Sequence, residues 1–72
     1  MTAAYVEHRP RSNEPKEPTI HFAVVVNGKD VEKFRTQEDA VSWAKKQGYS
    51  PIHVARVRHL QDRDQPDHWR RY

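Results

Sequence analysis

Seventy-two residues, with 13 basic side chains against 10 acidic ones and no cysteine, allow one domain at most and leave little room for both a core and an enclosed active site. Neither disulfides nor a thiolate zinc site can supplement apolar packing, so packing itself or a second subunit must stabilise the fold. The net charge of +3 is a mild bias that permits anionic partners without demanding them.

The opening stretch MTAAYVEHRPRSNEPKEP has no continuous apolar h-region of the kind a signal peptide needs, and no later run approaches the ~20 apolar residues that cross a bilayer. The reading is a cytoplasmic protein with no membrane partner. Residues 1–18 contain Pro10, Pro15 and Pro18 and three charges of each sign, with Tyr5 and Val6 as the only sizeable apolar groups. Such a composition predicts a disordered N-terminal arm, because it buries too little surface to offset the entropy of ordering.

The compact unit is expected over residues 19–60. In TIHFAVVV, Ile20, Phe22, Val24 and Val26 share one face of an extended chain, and His21, Ala23 and Val25 share the other. β-branched residues dominate, which predicts a central strand. Asn27-Gly28 supplies the positive φ angles of a tight hairpin turn. The return strand, Asp30 to Arg35, is mostly charged. Its apolar anchors Val31 and Phe34 have opposite parity, so a bulge or an early strand end is expected.

Thr36-Gln37-Glu38-Asp39 predicts a helix start, with the threonine hydroxyl accepting from a free N–H and the two carboxylates at the positive end of the helix dipole. Ala40, Val41, Trp43 and Ala44 form its apolar stripe, Lys45 and Lys46 its last turn, and Gly48 its left-handed stop. After Tyr49-Ser50-Pro51, a third strand is expected from Ile52 to Leu60. The predicted fold is α+β: a three-stranded antiparallel sheet of order 2-1-3 with one helix on one face, in ββαβ topology. Residues 61–72 follow as a basic-aromatic tail.

Within the third strand, HVARVRHL, the apolar parity changes near Ala55. A strand that changes face there would bring Arg56 and Arg58 out on one side. Guanidinium groups so placed can hold phosphates, or simply be solvated strand residues paired with nearby carboxylates. His68-Trp69-Arg70-Arg71-Tyr72 interleaves aromatics with arginine, which suits stacking on bases if the tail is exposed. Trp69 could equally fold back over the open sheet face.

Five histidines, at 8, 21, 53, 59 and 68, have no short metal-ligand spacing, and Asp62 to His68 lacks the glycine and closing glutamate of a calcium loop. No nucleophile elbow or glycine-rich phosphate loop is present, so we expect no enzyme, no cofactor and no small-molecule substrate.

Two functions of different class follow. One is a non-enzymatic nucleic-acid-binding module using Arg56, Arg58, Trp69, Arg70 and Arg71, with help from Lys29, Lys33 and Arg35. The other is a protein-interaction or homodimerisation module whose uncovered sheet face, formed by His21, Ala23, Val25, Ala55 and Val57, engages a protein partner or a second copy.

Overall fold

A computed structural model describes residues 2–11, 14–62 and 64–72. It is α+β, with one helix on one face of a five-stranded mixed sheet. The strands are β1 (Ala4–Arg9), β2 (His21–Val26), β3 (Lys29–Phe34), β4 (Ile52–Ala55) and β5 (Trp69–Arg71), and the helix α1 spans Gln37–Lys46. The sheet order is β3-β2-β1-β4-β5. This corrects the three-stranded antiparallel sheet of order 2-1-3 in two ways.

The first correction is β1, which lies in the segment expected to be a disordered arm. It pairs antiparallel with β2, Val6 opposite Val24, and parallel with β4, Val6 opposite Val54. Ala4 and Val6 are fully buried in the helix-covered core. Alternation explains the strand: Ala4 and Val6 point to the helix, and Tyr5, Glu7 and Arg9 to the other face. The chain then returns to β2, where the Ile20 N–H donates to the Arg9 carbonyl at 2.7 Å.

The second correction is β5. Residues expected as a tail form a 3-10 turn, Pro66–His68, and then pair antiparallel with β4, Ala55 opposite Trp69. β4 is correspondingly shorter than expected. It ends at Ala55, where the apolar parity changes, and a tight turn closed by the Val57–Leu60 bridge follows.

The hairpin and helix follow the sequence closely. Asn27 and Gly28 adopt φ of 53° and 79°, the left-handed pair that matches strand twist. The parity conflict in β3 is resolved by a bulge: Val24 opposes Glu32 and Val25 opposes Asp30, so Val31 is the extra residue. Thr36 caps α1 by accepting from the Asp39 N–H at 3.1 Å.

At the other end, Gly48, at φ 84°, donates to the Lys45 carbonyl and Tyr49 to that of Ala44, both at 3.1 Å. This is the paired closure that leaves few helix carbonyls unsatisfied.

The α1 crossover joins β3 to β4, both parallel to β1, stepping over β2 and β1. β4 therefore runs antiparallel to β2 as expected, but β1 separates them. The core lies between helix and sheet: Val6, Val24, Val26, Val41, Ile52 and Val54 with small alanines, rimmed by Phe22, Phe34, Trp43 and Tyr49. Among the described residues no helix is long and apolar enough to cross a membrane.

Candidate nucleic-acid interface

The sheet has a second face, opposite α1. Register places Tyr5, Glu7 and Arg9 of β1, His21, Ala23 and Val25 of β2, His53 and Ala55 of β4, and Trp69 and Arg71 of β5 there. Large residues stand beside small ones across the strands: Tyr5 beside Val25, Glu7 beside Ala23, Trp69 beside Ala55. Cross-strand neighbours of this kind fill the surface between them. Accordingly, of the residues expected to form a bare interaction patch, Ala23, Val25 and Ala55 are at most 2% exposed. His21 is half-buried and Val57, beyond the strand, is exposed.

Trp69 stands beside Ala55 at the β5 end of this face. Its ring is 6% exposed, lies edge-on to Tyr5 with centroids 5.1 Å apart, and donates its indole N–H to the Asp62 carbonyl at 2.9 Å. Folding back over the sheet is thus the alternative it takes. Tyr5 in turn stacks on His53, centroids 4.8 Å apart and planes inclined by 21°. Across the next strand interval from His53 stands Arg71. Burial first, and the Arg71 charge second, hold the His53 imidazole below its ordinary pKa, so the ring in this row is neutral at neutral pH.

Glu7 is fully buried in the middle of this face. A carboxylate there must be paired. It accepts from Arg11 Nε at 3.2 Å and lies 3.3 Å from Arg9, which also bonds Asp30 at 2.9 Å. The aromatic row and this ion-pair cluster sit side by side on one surface.

The two arginines of HVARVRHL both follow the end of β4 and take different partners. Arg58 is 5% exposed. It donates from Nε to the Glu17 carbonyl at 2.6 Å and approaches the Glu17 carboxylate at 3.8 Å, clasping the segment that leads into β2. Its charge is directed inward. Arg56 is exposed, its backbone N–H donating to the His68 carbonyl at 2.9 Å and its Nε to the Trp69 carbonyl at 3.4 Å. Its guanidinium therefore lies along β5.

Arg70 and Arg71 are both exposed and, as neighbours in a strand, project to opposite faces. After them Tyr72 returns to α1. It receives a hydrogen bond on its hydroxyl from Gln37 at 3.2 Å and lies under Lys45, whose Nζ is 5.9 Å from the ring centroid. Lys29 and Lys33 are on β3 and Arg35 just after it. Four strand intervals, roughly 19 Å at ~4.8 Å each, separate them from β5. The structure therefore places Arg56, Arg70 and Arg71 along one edge, with Arg70 and Arg71 on opposite faces of it, and leaves Lys29, Lys33 and Arg35 at the opposite edge.

A further histidine, His8, was not singled out as a site residue. It sits on the helix side of β1, Nδ1 3.3 Å from the Thr19 hydroxyl and Nε2 3.0 Å from the Ala55 carbonyl. Burial lowers its pKa most, the bond to Ala55 opposes that, and Arg58 and Arg70 lower it further. Among the described residues, no group of three or more His, Cys, Asp or Glu side chains is placed to hold a metal ion.

The molecule is thus a small α+β unit with an aromatic row on its open sheet face and a basic edge strand beside it. No protein-family model matches the chain, and no curated protein or solved structure matches it.

Proposed function

We propose that the protein is a small non-enzymatic binding module that holds nucleic-acid phosphates along the β5 edge. The observation that carries this reading is the placement of Arg56, Arg70 and Arg71, from two separate segments, along one edge strand. None of the three forms an ion pair with a carboxylate among the described residues, so, apart from the Arg56 Nε that donates to the Trp69 carbonyl, guanidinium N–H groups are available to phosphate oxygens. Covering of Ala23, Val25 and Ala55 by the protein's own side chains removes most of the motive for a protein partner on that face.

The test is the salt dependence of oligonucleotide binding, followed by fluorescence anisotropy. Three phosphate contacts predict a slope of log K against log salt of about −2 for a single strand and about −3 for a duplex. Arg70→Ala and Arg71→Ala should each reduce the slope by about one, whereas Lys33→Ala at the far edge should leave it unchanged. Absence of binding at low salt sinks the proposal, as does a slope insensitive to the β5 arginines.

A further inference from the structure

Resting on that reading, we infer that the nucleic acid is single-stranded, with one base continuing the Tyr5–His53 stack beside Arg71 while its backbone follows Arg56 and Arg70 along β5. Three features of the geometry point the same way. Tyr5 and His53 already form a face-to-face pair on the open sheet surface, and both rings are half-buried, so part of each remains at the surface. A third planar group can extend such a pair, because offset stacking prefers spacings of ~4.5–7 Å. Register then puts Arg71 across from His53 on the same face, where its guanidinium can reach the phosphate of a stacked nucleotide or lie over the base itself.

The remaining arginines determine the kind of strand. Arg70 leaves β5 on the helix side and Arg71 on the open side, so a ligand that meets both must bend around a narrow edge of three residues. A flexible single strand does this at little cost. A duplex is stiff over ~150 bp and keeps its base faces stacked on one another, so the aromatic row gives it nothing. Base-on-aromatic stacking is tolerant of sequence because every base has a π-face. The expected ligand is therefore defined by strandedness more than by sequence.

A ten-nucleotide mixed-sequence single strand and the ten-base-pair duplex of the same sequence, titrated into the full chain at low salt, separate this inference from the reading beneath it. Preference for the single strand of tenfold or more is expected. His53→Ala should weaken single-strand binding by roughly five- to 140-fold while leaving duplex binding unchanged. Ring protons of His53 should move upfield in NMR spectra of the wild-type protein on addition of the single strand, a readout that needs no variant to fold.

If the duplex binds as well as the single strand, or the ring protons stay where they are while binding is observed, the stacking inference is overturned and the phosphate-binding reading survives. If neither oligonucleotide binds, both fall.

Discussion

Replacing Trp69 by alanine tests whether the C-terminal segment is part of the fold. The indole is 6% exposed, and its N–H bonds the Asp62 carbonyl at 2.9 Å. Removing a buried tryptophan side chain costs about 3–5 kcal/mol through lost transfer energy and the cavity left behind. Trp69 lies on an edge strand, where neighbours can close in, so the lower end applies. The lost hydrogen bond adds little, because the Asp62 carbonyl can turn to water.

We therefore expect about 3 kcal/mol. For 72 residues the whole stability is about 4–11 kcal/mol, so the variant should lose between a quarter and most of it and melt about 12–24 °C lower. Trp69→Phe, which keeps one six-membered ring but loses the pyrrole part and its N–H, should cost about 1–2 kcal/mol. Urea titration followed by far-UV circular dichroism measures both. A Trp69→Ala variant within 1 kcal/mol of the wild type would show that the ring is not packed against Tyr5, and the aromatic row would lose its anchor.

Two further outcomes follow from β1 and from the histidines. Val6→Asp, which puts a carboxylate at a fully buried position of the middle strand, should abolish cooperative unfolding in the same assay, and so should deletion of residues 2–9. Survival of a cooperative transition in the deletion would remove β1 from the folding unit. His8 and His53 have folded pKa values below the ordinary imidazole value, chiefly through burial. Below about pH 6.5 the unfolded chain therefore binds more protons, and stability present above that pH should fall as the pH drops toward the folded values. The urea midpoint should decline from pH 7.5 to 5.5, less steeply in His8→Gln; an identical decline in that variant would refute the assignment.

Local features were legible in the sequence and long-range ones were not. Asn27-Gly28, the Thr36 cap and the Gly48 stop each depend on residues within a few positions, and each is where the pattern puts it, while the parity conflict of β3 left a bulge and an early strand end open and the register settles it as a bulge at Val31. β1 was hidden because a six-residue strand was averaged with a proline-rich loop. Its Glu7, counted as solvent-loving, is buried on arginines supplied by that strand and that loop. The turn of Arg58 inward depends on Glu17, about forty residues away, which no spacing rule connects. The aromatic row was missed for a related reason: Tyr5 and His53 meet only because β1 and β4 pair. The parity change at Ala55 was visible, but it marks the end of a strand rather than its reversal.

The middle position of β1 has a consequence for synthesis on the ribosome. This strand emerges first, yet one of its two partners, β4, is roughly fifty residues further along, and closing so long a loop is among the slower steps of folding. The β2–β3 hairpin and α1, built from neighbouring residues, can form while the nascent chain is still growing. Until Ile52–Ala55 has left the exit tunnel, β1 has one edge unpaired and Val6 lacks Val54. Commitment to the native sheet therefore waits for β4, and the interval before β4 is available is when the unpaired edge of β1 is most open to pairing with the wrong strand.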